Sequence, residues 1–208
     1  MTNDDEAARF WEAHYRDRPA DAPPATVNPR LAEIAEPLTP GIALDLGCGP
    51  GGDTLWLAAR GWQVTAVDIS ASAVRSLQQR AAGLPVTAVR VDLADDFPAG
   101  SFDLISAQFL QTPFPLDRAG VLRSAANALN PGGRLAVVDH GSTSPWSWNQ
   151  DPGLHYPTPR EVAAELALDW TEWSIERADA AHRLATGPAG QQATVIDHVL
   201  IIRRNGNG

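Results

Sequence analysis

The sequence predicts an α/β fold in which a largely parallel sheet carries helices on both faces. From Ile42 onward, apolar runs of strand length alternate with stretches of helical periodicity, a pattern typical of a buried parallel sheet. The first of these strands leads into a glycine-rich loop, "LGCGPGG", which is typical of α/β folds that bind a ligand beyond the carboxyl ends of their strands. The chain has 208 residues, 44% of them apolar, and is long enough for one such domain but short for two.

The N-terminal part of the chain precedes this pattern. Residues 1–40 are predicted to form a helical cover segment, and residues 41–208 the main domain. Residues 3–18 are expected to form a helix because acidic residues fill its first turn and arginines its end. The proline-rich stretch 19–29 is too broken for a helix or a strand. A second short helix over residues 30–38 then leads to the first strand.

The main domain is predicted to contain seven strands and four helices. The strands are expected at residues 42–47, 63–69, 86–93, 102–108, 134–140, 173–180 and 194–204. The helices are expected at residues 53–60, 70–83, 117–130 and 158–167. A turn at Asn130–Gly133 is expected to end the third of these helices before the fifth strand begins.

One connection is unusually long. Residues 141–157 form a loop of 17 residues with three prolines, and loops beyond ~12–15 residues in a compact domain are usually functional or disordered. Trp146, Trp148 and Tyr156 argue against disorder, because large rings need a surface to pack on. We interpret the loop as a wall of the active site; a purely structural loop is the alternative.

The charge and the N-terminal sequence limit the partners. A net charge of −9 disfavours nucleic acids and anionic membranes, which attract proteins through clustered basic residues. The first residues lack the features of a signal peptide, and no apolar run approaches the ~20 residues of a membrane span. The single cysteine, Cys48, allows no internal disulfide. We therefore expect a cytoplasmic monomer or homodimer that acts on a small molecule.

The glycine-rich loop fits two cofactor patterns at once. Gly47, Gly49 and Gly51 spell G-x-G-x-G, which suggests S-adenosylmethionine. Gly47, Gly49 and Gly52 spell the G-x-G-x-x-G of dinucleotide sites. Asp53 disfavours the second pattern, because a carboxylate that caps the following helix occupies the free N–H groups that a pyrophosphate needs.

Three acids follow three successive strands and favour a cationic nucleoside. Asp45, two residues before the first glycine, is placed to interact with the cationic end of S-adenosylmethionine. Asp68 ends the second strand, where a carboxylate accepts hydrogen bonds from both ribose hydroxyls. Asp92 follows the third strand and is expected to meet the adenine amino group. The carboxyl ends of parallel strands meet at one crevice, so we expect the three to converge; structural or solvated acids are the alternative.

Several stretches resemble class I S-adenosylmethionine-dependent methyltransferases. "ALDLGCGPGGDTLWLAARGWQVTAVDISASAV" is followed in the expected order by "VDLADDFP", "FDLISAQF" and "LNPGGRLAVVD", so the resemblance covers residues 42–140. It implies a Rossmann-like seven-stranded mixed sheet in the order 3-2-1-4-5-7-6 with the last strand antiparallel. More loosely, "FWEAHYRDRP", "NPRLAEIAE" and "DHVLIIRR" resemble the tellurite-resistance and thiopurine methyltransferase-like branch.

The resemblance also implies a set of site residues. Ile69 would pack on the adenine face, Leu93 with Asp92 would hold the adenine edge, and Gln108 would end the fourth strand beside the methyl donor. The implied cofactor-binding residues are Asp45, Gly47, Gly49, Gly51, Asp68, Ile69, Asp92, Leu93 and Gln108.

The acceptor side is less patterned. The candidates are Tyr15 and His140 for catalysis and Asn28, Phe109 and His155 for substrate binding. His140 ends the fifth strand before the long loop and is expected to act as a base if the acceptor is a hydroxyl or an amine; a histidine bonded to the backbone is the alternative. Asp139 and His140 alone make a poor metal site, so none is predicted.

The main functional hypothesis is metal-independent methyl transfer from S-adenosylmethionine to a small acceptor, such as a thiol, a metalloid or an aromatic hydroxyl. The enzyme alternative, a nicotinamide-dependent oxidoreductase, is disfavoured by Asp53 and by the absence of lysine, since all 16 basic residues are arginine. A non-catalytic sensor of S-adenosylmethionine is the third hypothesis.

Overall fold

The computed structural model describes residues 3–16, 25–147 and 149–206. Its strands are β1 (Ile42–Leu46), β2 (Gln63–Asp68), β3 (Val86–Arg90), β4 (Phe102–Gln108), β5 (Leu129–His140), β6 (Trp173–Thr186) and β7 (Gln192–Arg204). Its helices are α1 (Asn3–Arg16), α2 (Pro29–Ala35), α3 (Gly52–Ala58), α4 (Ala71–Arg80), α5 (Arg118–Asn127) and α6 (Pro159–Glu165). The strands form a seven-stranded sheet in the order β3-β2-β1-β4-β5-β7-β6, which confirms the predicted fold class.

The direction of the strands sets where a ligand can bind. β1 to β5 run parallel to one another, whereas β7 is antiparallel to both β5 and β6. The predicted antiparallel last strand is therefore confirmed. Because β1, β2, β4 and β5 are parallel, the residues at their carboxyl ends all lie at one edge of the sheet.

Helices cover both faces of the sheet, as predicted. On one face, Leu44 of β1 packs in the same core as Leu122 of α5. On the other face, Ala43 of β1 shares a core with Leu31 of α2 and Leu57 of α3. Adjacent residues of β1 thus enter different cores, which follows from the alternation of side chains along a strand.

The Asn130–Gly133 segment lies inside β5, so the predicted turn before that strand was wrong. β5 begins at Leu129, which pairs with Phe102 of β4, and the register between these strands then shifts. The Asn130 amide donates a hydrogen bond to Asp103 Oδ1 at 2.8 Å, which holds the irregular stretch against β4. The glycines allow a bulge here rather than a break between elements.

Other boundaries differ less from the prediction. β6 and β7 are longer than expected and form a long hairpin, while β3 ends at Arg90. Residues 17–24, which hold the predicted end of the first helix and part of the proline-rich stretch, lie outside the described residues, as does Trp148.

The longest helix of the described ranges, α1, has 14 residues. None of the helices in those ranges combines the length and the apolar character needed to cross a bilayer.

Candidate functional site

Three adjoining clefts open at the carboxyl ends of the parallel strands and beside the hairpin of β6 and β7. The α1 cleft lies under α1; its lining includes Tyr15, Gly47, Asp68, Ile69, Asp92 and Leu93. The glycine-loop cleft includes Tyr15, Asn28, Asp45, Gly49, Asp53, Gln108, Phe109 and Arg183. The hairpin cleft, beside the β6–β7 hairpin, includes His140, Trp146, Tyr156 and Arg183. Their cavity volumes are about 120, 350 and 280 Å³, and that of the glycine-loop cleft falls within the range of small-molecule sites.

The glycine-rich loop has the backbone of the G-x-G-x-G register. Gly47, Gly49 and Gly51 have φ angles of 70°, 49° and 83°, a region that residues with side chains rarely adopt. The Gly49 N–H donates to Asp68 Oδ2 at 2.9 Å, and a Cβ on Gly49 would lie 2.9 Å from the Tyr15 hydroxyl. The loop therefore requires glycine for its own conformation and for the close approach of α1.

Gly52 lines the glycine-loop cleft and packs closely against the cover segment. A Cβ at Gly52 would collide with the backbone carbonyl oxygen of Thr26. The backbone of residues 25–26 thus occupies the space that a pyrophosphate would need beside Gly52. This arrangement argues against the dinucleotide register.

Asp53 does not cap α3, so this part of the sequence interpretation was wrong. Its Oδ1 accepts a hydrogen bond from the Asn28 N–H at 2.6 Å, and Gly51 holds the N-cap position of the helix. Burial raises the pKa of Asp53 to about 6. Asp53 therefore ties the cover segment to α3, and the argument against a dinucleotide rests on Gly52 and Thr26 instead.

Asp45 and Asp68 are buried carboxyl groups on either side of the glycine-rich loop. Asp45 accepts a hydrogen bond from Thr54 Oγ1 at 2.6 Å, and burial together with the neighbouring Asp53 raises its pKa to about 7. Burial also raises the pKa of Asp68, whose two oxygens accept from the N–H groups of Gly49 and Ser70. Buried acids with raised pKa values favour a ligand that carries positive charge and hydroxyl donors.

The far end of the α1 cleft combines apolar walls with one carboxylate. Ile69 and Leu93 line it from the loops after β2 and β3. Asp92 lies beside Leu93, and its Oδ1 accepts a hydrogen bond from the Ala94 N–H at 3.0 Å. This end of the cleft suits the binding of a flat ring that has a polar edge.

α1 covers this cleft and is fastened at two points. Glu12 accepts hydrogen bonds from Ser70 Oγ, Ser72 N–H and Ser72 Oγ at 2.8, 2.9 and 2.6 Å, and these bonds lower its pKa to about 2. Trp11 Nε1 donates to Thr112 Oγ1 at 3.2 Å across the opposite rim. Tyr15, on the same helix, lines both the α1 cleft and the glycine-loop cleft.

The end of β4 is joined to the cover segment. The Asn28 side-chain amide donates to Gln108 Oε1 at 3.0 Å, and Gln108 Nε2 in turn donates to Ser106 Oγ at 3.0 Å. Both amides line the glycine-loop cleft. Their polar groups are therefore held in fixed positions beside the glycine-rich loop.

Phe109 and His140 form a stacked pair between the clefts. Their ring centroids lie 4.4 Å apart with an interplanar angle of 21°. Phe109 has a φ of 52°, a strained conformation for a residue with a side chain that is common at functional sites. Desolvation lowers the pKa of His140 despite the opposing charges of Asp139 and Asp197, so the imidazole is neutral at pH 7 and able to accept a proton.

The structure does not bring His155 to the clefts. Its side chain is 71% exposed, lies 3.7 Å from Glu161 and lines none of the three clefts. Its position does not support the expected substrate-binding role. The long loop still contributes a wall, because Trp146 and Tyr156 line the hairpin cleft.

Metal chemistry and thiol chemistry find little support. Among the described residues, no group of three or more His, Cys, Asp or Glu side chains is arranged to hold a metal ion. Both oxygens of Asp139 accept from Arg118 Nη2 at 2.7 Å. Cys48 is buried, and burial raises the pKa of its thiol well above the ordinary value, which keeps it unreactive at neutral pH.

Three residues of the site were missed by sequence reasoning: Glu12, Thr54 and Arg183. Thr54 follows Asp53 directly, and its place in the first turn of the helix after the glycine-rich loop was a usable signal. No sequence signal pointed to Glu12 or Arg183, because their contacts with Ser70 and Asp197 depend on packing between distant segments.

Part of the chain matches a family of known proteins. Residues 43–133 match the family described as "Methyltransferase domain". This match, over less than half of the chain, supports the resemblance of residues 43–133 to class I S-adenosylmethionine-dependent methyltransferases. The matched range covers β1 to the start of β5, including the glycine-rich loop, Asp68 and Asp92.

Two relatives resemble the chain in sequence, and a solved structure resembles it in fold. A ubiquinone biosynthesis O-methyltransferase of Xanthomonas axonopodis pv. citri is 34% identical over 62% of this chain and 55% of that protein. A nocamycin O-methyltransferase of Saccharothrix syringae is 39% identical over 52% of this chain and 41% of that protein. The fold resembles a magnesium protoporphyrin IX methyltransferase of Synechocystis with bound S-adenosylhomocysteine, with a TM-score of 0.67, 18% identity and coverage of 98% and 100%. The chain spans about half the length of the two relatives.

Substitution of two glycines directly tests which register of the glycine-rich loop is used. Gly49→Ala is expected to weaken S-adenosylmethionine binding by at least about tenfold, because it strains a left-handed backbone and pushes Tyr15 away. Gly52→Ala is expected to lower the free energy of unfolding by about 1–3 kcal/mol through overpacking against Thr26. Its effect on affinity should be much smaller. Calorimetric titration and thermal denaturation measure both; the reverse order of affinities would revive the dinucleotide register.

Proposed function

We propose that the protein catalyses metal-independent methyl transfer from S-adenosylmethionine to a small-molecule acceptor. The observation that carries this proposal is the convergence of Asp45, Asp68 and the left-handed glycines at one loop. A buried carboxyl group on each side of the loop fits a ligand that combines a cationic end with ribose hydroxyls. The family match over residues 43–133 supports the same cofactor.

Each residue of the site is proposed to bind the part of the cofactor that matches its chemistry. Asp45 is proposed to meet the cationic end and Asp68 the ribose hydroxyls, while Ile69 and Leu93 enclose the adenine and Asp92 accepts from its amino group. Gly47, Gly49 and Gly51 allow the close approach of the backbone. When bound, S-adenosylmethionine supplies an electrophilic methyl group on a sulfonium whose departure needs no proton. Most of the rate enhancement then comes from alignment and the exclusion of water, which together contribute about 7–11 kcal/mol in well-oriented reactions.

The acceptor is proposed to lie between the glycine-loop cleft and the hairpin cleft. Gln108 and Asn28 offer fixed amide groups, and Tyr15 and Phe109 offer rings. His140, neutral because its pKa is lowered, is proposed to take the proton of a hydroxyl or amine acceptor, whereas a thiolate needs no base. The helix α1 covers the α1 cleft and is held there by hydrogen bonds of Glu12 and Trp11. This cover favours small acceptors over polymers.

The proposal separates from its alternatives in two measurements. Calorimetric titration with S-adenosylmethionine, S-adenosylhomocysteine and NAD(H) is expected to show binding of the first two; binding of NAD(H) alone would overturn the proposal. Incubation with methyl-labelled cofactor and a panel of phenols, thiols, amines and metalloid oxyanions is expected to transfer label. Tight cofactor binding without transfer to any of them would favour a sensor. The tellurite-resistance and thiopurine branch stays a prediction, which the thiol and metalloid members of the panel address.

A further inference from the structure

Arg183 of β6 lies at the junction of the glycine-loop cleft and the hairpin cleft. Its side chain lines both, and it is 27% exposed. The same two clefts hold the stacked pair Phe109 and His140, and Arg183 lies near enough to His140 to lower the pKa of that imidazole. A cation is therefore built into the space between the proposed cofactor and the long loop.

A buried carboxylate holds the Arg183 side chain from behind. Its Nε donates to Asp197 Oδ1 and Oδ2 at 3.0 and 2.7 Å. Asp197 is fully buried in β7, directly opposite His140 in the sheet. Because the contact uses Nε, the position of the guanidinium is fixed while its two terminal nitrogens remain directed elsewhere.

Arg183 differs in the use of its terminal nitrogens from Arg30, the other arginine that binds Asp197. Arg30 uses Nε for Asp197, Nη1 for Glu33 and Nη2 for the His182 carbonyl. Within residues 3–16, 25–147 and 149–206, Nη1 and Nη2 of Arg183 make no hydrogen bond. The Asp197 carboxylate thus pairs with the guanidinium groups of both Arg30 and Arg183. Of these two, Arg183 lines the clefts, and its terminal N–H groups have no hydrogen-bond partner among the described residues.

Aromatic side chains bound this space at both ends. Phe109 stands at the end nearer the glycine-rich loop, and Trp146 and Tyr156 line the hairpin cleft beyond Arg183. Trp146 packs against Gly187, where a Cβ would lie 2.7 Å from its ring, and the Tyr156 hydroxyl lies 2.8 Å from Thr143 Oγ1. Both walls are therefore held in place and suit a flat apolar body.

We propose that Arg183 binds a carboxylate of the methyl acceptor, and that the acceptor is an aromatic carboxylic acid bearing the hydroxyl or thiol that is methylated. The two terminal N–H groups of a guanidinium match the two oxygens of a carboxylate, which makes this pairing both strong and directional. Asp197 acts as a positioning residue for Arg183. This inference rests on the proposed methyl transfer and adds to it the class of acceptor.

Matched acid and amide pairs test the inference. We use 3,4-dihydroxybenzoate with 3,4-dihydroxybenzamide and 2-mercaptobenzoate with 2-mercaptobenzamide, each with labelled S-adenosylmethionine. For whichever of the two pairs is methylated, the wild type is expected to prefer the acid to the amide by at least about tenfold in kcat/KM. Arg183→Gln is expected to remove that preference, because it should slow methylation of the acid at least about tenfold more than methylation of the amide.

Two further variants keep the outcome clear. Arg177→Gln is the matched control, because Arg177 lies on the same strand, pairs with Glu33 and Asp179, and lines none of the clefts. It should keep the acid preference. Arg183→Lys retains a cation beside Asp197 and should keep part of the preference if Arg183→Gln proves unstable by thermal denaturation. Equal use of acid and amide by the wild type, or equal loss of both in Arg183→Gln, would overturn the inference.

Failure of methyl transfer is kept separate from failure of the inference. Binding of the same acids and amides to the protein saturated with S-adenosylhomocysteine is followed by saturation-transfer NMR. Arg183-dependent binding of the acids without any transfer would leave the carboxylate site standing and contradict the proposed activity. Absence of acid-selective binding would overturn the site whatever the cofactor results show.

Discussion

Replacing Asp68 with alanine is expected to weaken the binding of S-adenosylmethionine by at least about 100-fold, because hydrogen bonds to a charged group contribute about 1.5–3 kcal/mol each and a ribose offers two hydroxyl donors. The loss has a second source within the protein. Asp68 also accepts from the Gly49 and Ser70 N–H groups, so its removal loosens the glycine-rich loop and leaves two buried donors without a partner. Calorimetric titration of the variant measures the effect.

A control acid separates this effect from a general change of charge. Asp95 is exposed and lines none of the clefts, so Asp95→Ala should bind S-adenosylmethionine like the wild type. Asp68→Asn keeps the size of the side chain and accepts hydrogen bonds through one oxygen only. It should fall between the wild type and Asp68→Ala. An Asp68→Ala protein that is folded by circular dichroism and binds the cofactor within a few-fold of the wild type would contradict the assignment.

The parallel part of the fold was accessible from the sequence because its signals are local. The apolar run 42–46, the glycines behind it and Asp68 at the end of β2 are all explained by strand burial and loop conformation within a few residues. The Asn130–Gly133 segment shows where that reasoning stops. An Asn-Pro-Gly-Gly stretch reads as a turn, but pairing of Leu129 with Phe102 on β4 keeps it within a bulged strand.

The cofactor side of the site was more predictable than the acceptor side for a related reason. Asp45 and Asp68 lie in the last residues of β1 and β2, Asp92 follows β3, and the parallel topology brings these strand ends together. Arg183 lies on β6 and is held at the site by the buried Asp197 of β7, and no local sequence pattern reveals the register between these two long strands.

Asp53 shows a different limit. A carboxylate at the start of a helix usually serves as a cap, yet here the cover segment takes it through the Asn28 N–H. The preference of Asp for the start of a helix describes the helix alone. Here the packing of a distant segment determines which N–H group the Asp53 carboxylate binds. Gly52 carries the same lesson, because only the structure reveals that Thr26 lies against it.

The affinity for S-adenosylmethionine is expected to rise with pH through the range in which Asp45 ionises. Its pKa is raised to about 7 by burial and by Asp53, so below that pH the carboxyl group is mostly protonated and cannot pair with a cation. A bound cation favours the carboxylate and lowers this pKa, so binding releases a proton near pH 7. Affinity should fall by up to about tenfold per pH unit below the pKa and level off about one unit above it.

Calorimetry in two buffers of different ionisation enthalpy measures this proton directly, and Asp45→Asn supplies the decisive comparison. The amide keeps a hydrogen-bond acceptor for Thr54 but carries no charge at any pH, so the variant should bind at least about tenfold more weakly at pH 8. Its affinity should also vary much less between about pH 6 and pH 8. Asp53→Asn tests the neighbour: with one acid fewer beside Asp45, the rise in affinity should shift to lower pH. An unchanged pH profile in Asp45→Asn would assign the titration to Asp53 or Asp68 and remove Asp45 from the cation site.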